Sequence, residues 1–390
     1  MPPVQALAAA AILSLIPAPK PWDALFAVGT LVLLFLAFYG ARVAWKRYQE
    51  LQLDRLRHNP LLVPTAHHYW ESQAVFNPAA LYEGGRVHLL YRAIGEDGIS
   101  RIGYASSADG IHFTERLPYP ILALENPRRA AKACFRQEYN PVLSPSGGRW
   151  GGSEDPRVVA IDGRVYLSFN AFDGWDFLRI GVASLSLDNF LGKRWRWSEP
   201  LLISPVGEIH KNWLLFPEKI NGKFAILHTL TPEVRVDYVD RLEDLAKGKE
   251  IIKSERTQQA PRESWDSWVR GAGPPPIRTE HGWLVLYHAV EAHETHRYKI
   301  GAMLLDLQDP RKVLARSQGP ILAPDMWYEN DWKPGIVYAC GAIVKDSTLF
   351  VYYGGGDKTV SAATIPLNEL LDALLAGRVP SFAQRWLELK

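Results

Sequence analysis

Cysteine is almost absent from the sequence: Cys134 and Cys340 are the only two in 390 residues. Two thiols cannot build a disulfide framework or a Cys-rich zinc site, so one bridge at most is left, and a mostly reduced compartment is the simpler expectation. Excess charge of either sign is missing too. A net charge of +2 gives no electrostatic footprint for nucleic acid, which is not expected as a partner. The run Gly354, Gly355, Gly356, Asp357 is followed directly by no expected helix, so it is no dinucleotide fingerprint. His293, Glu294 and His296 lack a third ligand pattern and fall in an expected hairpin loop. Neither a metal nor a cofactor is expected.

What is present is apolar and aromatic. Hydrophobic residues make up 47% of the chain, ample for a large core. The 14 Trp, 16 Tyr and 14 Phe suit packed sheets and also stacking on sugar rings, with core packing accounting for most of them.

Residues 1–57 differ from the rest. Residues 24–41, ALFAVGTLVLLFLAFYGA, form an uncharged, mostly apolar run, and with residues 43–45 they reach the ~20 residues of a membrane-spanning helix. Arg42, Lys46, Arg47, Arg55 and Arg57 follow, whereas Lys20 and Asp23 cancel in front. The positive-inside rule then places the C-terminal side, and the globular domain, toward the cytoplasm. Residues 4–19 are apolar but have no basic stretch before them, which makes a poor cleaved signal peptide and leaves a hairpin leg or a re-entrant segment open. The expected organisation is an anchor and connector over 1–57 and a globular domain over 58–390.

Within the globular domain a single plan recurs. A two-residue turn signal, an apolar strand and a second strand with small residues appear at GGRVHLLYRA (84–93) with SRIGYASSADG and at DGRVYLSFNA (162–171) with LRIGVASLSLD. They appear again at NGKFAILHTL (221–230) with VRVDYVDRLED, HGWLVLYHAV (281–290) with YKIGAMLLDLQD, and DSTLFVYYGG (346–355) with TVSAATIPLNE. The starts lie about 60 to 78 residues apart, too long for a small solenoid repeat and suitable for four-stranded blades. The expected fold class is all-β, a five-bladed β-propeller preceded by an N-terminal transmembrane helix. Two β-sandwiches would not explain the same signature five times. Leu367 to Leu375 reads as a short closing helix with Leu370, Leu371, Leu374 and Leu375 on one side.

The chemistry concentrates in GGSEDPRVVAIDGRVYLSFNAFDG, residues 151–174. Glu154, Asp155 and Arg157 crowd three charges around Pro156, which is costly to bury unless the charges pair. Asp162-Gly163 is a turn signal, and Val165, Leu167 and Phe169 alternate as in a half-buried strand. A loop salt bridge is the plain reading of the charges. Arg92 ends the equivalent apolar strand of the first copy, Asn170 the second, His228 the third and His288 the fourth, with Gly354 to Gly356 and Asp357 in the fifth. In a propeller these positions ring one axial face and converge on one pocket.

Taken together, EDPR with DGRVYLSFNAFD, KNWLLFPEKINGKFAILH, GAGPPPIRTEHGWLVLYHAV, YKIGAMLLDLQDP and YYGGGD resemble, in order over about residues 60–372, glycoside hydrolase family 130, the β-mannoside phosphorylases and related β-1,2-mannosidases. The resemblance implies inverting, metal-free attack on a β-mannoside. It makes Asp155 the general acid, its proton relayed through a sugar hydroxyl, and assigns sugar contacts to Asn77, Arg92 and Asp357. It assigns phosphate binding to Lys219, Arg270, His288 and Tyr298. The acid's role needs a carboxyl kept protonated near neutral pH, which burial beside Glu154 favours and Arg157 opposes. Inorganic phosphate enters as co-substrate, replacing activated water and making a second catalytic carboxylate unnecessary. Basic or polar residues at all four matched positions favour a phosphorylase giving mannose 1-phosphate. The alternatives are a β-1,2-mannosidase, with Glu218 as the first carboxylate to consider as base, and a membrane-tethered glycan-binding propeller without activity. Two features depart from the family: the membrane anchor, and a basic insertion over 122–150 that reads as a solvated loop.

Overall fold

The computed structural model describes residues 28–39, 51–124, 151–172, 178–246 and 264–377. The chain divides into two compact units, Met1–Glu50 and Leu51–Lys390, and each is taken by itself.

In the first unit the described element is a helix over 28–39 with exposed apolar side chains, Leu33 and Phe38 each at 68%. Among the described residues no helix is long and apolar enough to cross a membrane. This corrects the expected transmembrane helix, and the membrane localisation with a cytoplasmic catalytic domain that was read from it goes with it. Residues 4–19 and most of the insertion at 122–150 lie outside the described residues.

The second unit is built of antiparallel strands. β1 is Asp54–Arg55. The first group follows as β2 Ala74–Glu83, β3 Arg86–Ile94, β4 Ser100–Ser107 and β5 Glu115–Arg116. The second is β6 Gly152–Ile161, β7 Arg164–Phe172, β8 Leu178–Ser186 and β9 Leu201–Leu202. The third is β10 Leu214–Leu215, β11 Phe224–Thr229 and β12 Arg235–Val239. The fourth is β13 Trp268–Ala272, β14 Ile277–Thr279, β15 Gly282–Val290, β16 Lys299–Leu305 and β17 Val313–Arg316. The fifth is β18 Val337–Lys345, β19 Thr348–Gly355 and β20 Thr359–Pro366, to which β1 adds as the edge strand. The first two groups share one sheet through a single parallel pairing, Ser100 with Gly152.

Three local rules explain the recurring sequence plan. Four of the five turn signals are hairpins of two left-handed residues, such as Asp162 at φ 48° and Gly163 at φ 72°, matching the twist of the strands they join. Next, the small residue of the third strand faces the aromatic ring of the second. Tyr91 pairs with Gly103, Phe169 with Gly181 and Tyr287 with Gly301. A Cβ at Gly103 would lie 2.4 Å from the Tyr91 ring and one at Gly301 2.5 Å from Tyr287, so only glycine admits the ring. Finally, in the first, fourth and fifth groups a tyrosine donates to a buried acid that also holds an arginine of the outermost strand. Tyr91 and Arg116 meet Glu71, Tyr287 and Arg316 meet Asp266, and Tyr353 and Arg55 meet Glu329. Arg55 makes two contacts to Glu329, at 2.7 and 2.9 Å, and so pins β1 to the fifth group.

The apolar core lies between successive groups. Ala79, Leu90 and Leu167 join the first to the second, and Val182, Leu215 and Ile226 the second to the third. Leu227, Val285 and Tyr287 join the third to the fourth, and Leu286, Val337 and Val351 the fourth to the fifth. Leu89, Tyr91, Tyr352 and Val360 join the fifth back to the first. Adjacent residues such as Leu89 and Leu90 serve opposite faces, as the two-residue period of a strand requires. The strand expected to be half-buried is therefore covered on both sides, with Ser168 and Asn170 buried as well as Leu167 and Phe169. The closing helix Leu367–Leu375 buries Leu370, Leu371, Ala373 and Leu374, while Leu375 stays 50% exposed.

Candidate active site

The first strands of the first, second, fourth and fifth groups each carry a register shift near the start, at Asn77-Pro78, Asp155-Pro156, Arg270 and Cys340. A bulge inserts an unpaired residue and re-aims its side chain. Proline explains the first two, since it cannot donate to the ladder. Asn77 at φ 46° and Asp155 at φ 48° take the left-handed region that Asn and Asp tolerate better than most residues. Opposite these bulges stand the second-strand ends: Arg92 pairs with Phe76, Asn170 with Glu154, His288 with Gly271 and Gly354 with Tyr338. Gly354 has to be glycine, because a Cβ there would fall 2.2 Å from Asn77 Oδ1.

The side chains of the first two groups meet around Asp155. Asn77 Nδ2 donates to Asp155 Oδ1 at 2.8 Å, Arg92 donates to the same oxygen at 3.1 Å, and Asn170 Nδ2 donates to Oδ2 at 3.3 Å. Arg92 also donates to Glu154 Oε1 at 2.5 Å and to Ser100 Oγ at 3.0 Å, its guanidinium lying 4.8 Å over the Phe76 ring. Burial pushes the Asp155 carboxyl up, but Arg92, Arg157 and Lys211 outweigh it and hold the group at about 2. For Glu154 burial wins over Arg92 and Lys211, with Asp155 and Asp357 adding to the upward push, and its pKa rises to about 7. The balance left open by the sequence thus falls against protonation of Asp155, and its neighbour carries the raised pKa. Arg92 and the amides of Asn77 and Asn170 all donate to Asp155, whereas Glu154 receives Arg92 alone, and only that geometry decides which carboxyl is favoured.

Arg157 is buried and knits groups together: it donates to the carbonyls of Asp155 at 2.7 Å and Gly273 at 3.0 Å and to Asn212 Oδ1 at 2.8 Å. Tyr338 donates to the same Asn212 oxygen at 2.8 Å and stacks on His288 at 3.8 Å. The backbone N–H of Ala339 donates to His288 Nε2 at 3.0 Å; that nitrogen must accept, so the neutral ring carries its proton on Nδ1. Burial and the charge of Arg157 drive the His288 pKa down to about 3. Tyr298 lies 6.0 Å from Tyr338, and the exposed Arg270 holds its guanidinium 6.0 Å over the Tyr298 ring. Arg270, Tyr298 and His288 are thereby joined through Tyr338. Asp357, at φ 53°, is paired with Lys333 at 2.9 Å.

Lys219 is not brought here. Its ammonium pairs with Asp162 at 2.9 Å, at the hairpin turn ending β6. Seven residues of strand, about 20 Å, separate that turn from Asp155. Glu218 beside it pairs with Arg278 at 3.5 Å on the surface. The lysine that does approach is Lys211, 3.9 Å from Glu154 Oε2. Both lysines sit in the same short stretch, KNWLLFPEK, and order along the chain could not choose between them. His228 also turns away, pairing with Asp237 at 3.0 Å beside Trp213; the third group contributes Lys211 and Asn212 in its place. Asn212 at φ 63° leaves no periodic signature in the sequence, and neither does Tyr338.

Comparison with known proteins agrees with this geometry. The glycoside hydrolase 130 family model, described as beta-1,4-mannooligosaccharide phosphorylase, matches residues 53–375. A 1,2-beta-oligomannan phosphorylase of Thermoanaerobacter sp. (strain X514) is 38% identical over 330 residues, covering 82% of this chain and 99% of that protein. A beta-1,2-mannobiose phosphorylase of the same organism is 36% identical over 328 residues, covering 80% and 97%. The structure of a beta-1,2-mannobiose phosphorylase from Listeria innocua in complex with beta-1,2-mannobiose superposes with a TM-score of 0.62 at 25% identity, covering 83% of this chain and 99% of that one. With its bulge-borne Asp155 ringed by residues from every strand group and the family model spanning the whole sheet assembly, the chain belongs to glycoside hydrolase family 130.

Proposed function

We propose that the chain is an inverting β-mannoside phosphorylase on a five-bladed β-propeller, cleaving its substrate with inorganic phosphate to give mannose 1-phosphate. The five core clusters that link each strand group to the next, and the fifth to the first, support the closed ring. The two relatives above 35% identity, both named for β-1,2-linked mannosides, make that linkage the first to try.

The observation that carries the reading is the run Arg270, Tyr298, Tyr338, His288, which joins a guanidinium to hydroxyl and imidazole donors beside the Asp155 cluster. Such a set suits an anion that is already a nucleophile and needs no base. Glu218, the first carboxylate to consider as the base of a hydrolase, pairs with Arg278 on the surface. Asp155 serves as acid toward the leaving oxygen through a sugar hydroxyl, and Asn77, Arg92 and Asp357 position the mannosyl ring. An anion bound nearby opposes the cations that hold Asp155 ionised, so phosphate arrival favours the protonated acid.

The test is product analysis with β-mannosides, with and without phosphate, in the wild type and Arg270→Ala. Mannose 1-phosphate is expected. The variant, losing a charge-assisted contact of ~1.5 to 3 kcal/mol, is expected to need roughly tenfold or more phosphate at little change in mannoside KM. Free mannose irrespective of phosphate would replace this reading with a mannosidase, and binding without turnover would replace it with a glycan-binding module.

A further inference from the structure

The proposed reaction uses Asp155 and leaves its neighbour Glu154 without a task, although Glu154 is wholly buried. Donors are divided unevenly between the two carboxyls. Asp155 receives Asn77 and Arg92 on Oδ1 and Asn170 on Oδ2. Amide NH2 and guanidinium groups only donate, so all three bonds favour the ionised form of Asp155. Asn170 cannot turn its amide round freely, since its Oδ1 accepts from the Asn212 backbone N–H at 3.4 Å. Glu154 receives Arg92 on Oε1. Its Oε2 has no hydrogen-bond partner among the described residues, and the Lys211 ammonium at 3.9 Å is too far to be one. A buried carboxylate oxygen left without a hydrogen bond is costly, and a proton on it removes the charge.

We propose that Glu154 and Asp155 share one proton, which rests on Glu154 in the free enzyme and passes to Asp155 when the anionic nucleophile binds. The charged groups facing Glu154 are Arg92 from β3, Lys211 ahead of β10, Asp357 after β19 and Asp155 on its own strand. Burial, helped by the two acids, outweighs the two cations there, while at Asp155 the cations prevail. An incoming dianion offsets those cations and removes what separates the two carboxyls. The pair then titrates as one unit.

The proton balance closes within the site. The bond from the anomeric carbon to the leaving oxygen breaks and one to a phosphate oxygen forms; the leaving oxygen takes the pair's proton. Hydrogenphosphate loses its own proton on becoming the ester and returns one to the pair. Glu154 therefore acts through Asp155 as a positioning residue for the proton. This last step rests on the phosphorylase reading, but the resting place of the proton does not.

The experiment follows the carbonyl stretch of protonated carboxyls by infrared difference spectroscopy on the free enzyme from pH 5 to 9, in wild type, Glu154→Gln and Asp155→Asn. A buried protonated carboxyl titrating near neutrality is expected in wild type and its absence in Glu154→Gln. In Asp155→Asn it should titrate at lower pH, because a neighbouring negative charge is gone. In kinetics, Glu154→Gln keeps the Arg92 contact but has no proton to share, so kcat should fall by about a hundredfold with both KM values within about threefold. The alkaline limb of kcat/KM should vanish from the residual activity. An unchanged band in Glu154→Gln, wild-type kcat with the same alkaline limb, or an unmoved titration in Asp155→Asn would overturn the proposal. The spectra contain no substrate, so release of mannose in place of mannose 1-phosphate would refute the function without touching this result. The Asp155→Asn titration still decides if Glu154→Gln fails to fold.

Discussion

Asp155→Asn separates the chemistry of the acid from its place in the structure. Asn accepts the left-handed backbone at φ 48° nearly as well as Asp, so the bulge itself should survive. The amide oxygen can still accept from Asn77 and Arg92, but its NH2 then faces the Asn170 NH2, which donates to Asp155 at 3.3 Å. Two donors facing each other in a buried site cost about 1 to 3 kcal/mol. The electrostatic route reaches a similar figure. A carboxyl held at about 2 against an ordinary 3.8 contributes about 2.4 kcal/mol at pH 7. Because the folded pKa is depressed, that contribution is fully present above the unfolded value and is lost as pH falls toward the folded one; about half remains at pH 3. Urea denaturation should therefore show Asp155→Asn less stable by about 2 to 3 kcal/mol at pH 7, with a smaller gap at pH 3. Turnover should fall by about 10² to 10⁴. Equal stability at pH 7, within about 0.5 kcal/mol, would refute the claim that Arg92 and its neighbours hold Asp155 ionised. Activity within a few-fold of wild type would remove it from the reaction.

Lys211→Met should raise the KM for phosphate or mannoside by about tenfold, whereas Lys219→Met, removing only the surface pair with Asp162, should change neither beyond twofold; steady-state kinetics on both variants decides. Arg55→Met leaves Glu329 buried with fewer donors and loosens the edge strand, and a loss of about 2 to 4 kcal/mol is expected by urea denaturation. His288, with its pKa driven down to about 3, should stay neutral with its proton on Nδ1 from pH 5 to 8. Nitrogen-15 NMR of the imidazole reads this directly, and an imidazolium at pH 6 would contradict the Ala339 contact.

Much was legible from the sequence because it depends on neighbours along the chain. Two-residue turns, apolar alternation and small residues in the strand that follows are all local, so the five strand pairs and the all-β class could be read from repeats alone. The bulges at Asn77-Pro78 and Asp155-Pro156 have an equally local cause, because proline breaks a ladder wherever it stands. The apolar run at 24–41 was equally visible, yet hydropathy reports composition and not helix length, and among the described residues no helix is long and apolar enough to cross a membrane. What the tertiary structure alone decided was which residues share a space. Lys211 and Lys219 are eight positions apart and equivalent in type, but one lies near Glu154 and the other at the far end of β6 with Asp162. The division of labour between Glu154 and Asp155 is decided in the same way. Adjacent residues with similar side chains acquire opposite pKa shifts because Asn77, Arg92 and Asn170, from three separate strands, crowd one of them. Coulomb and hydrogen-bond terms fall off over a few ångströms in space, and distance along a chain carries no record of them.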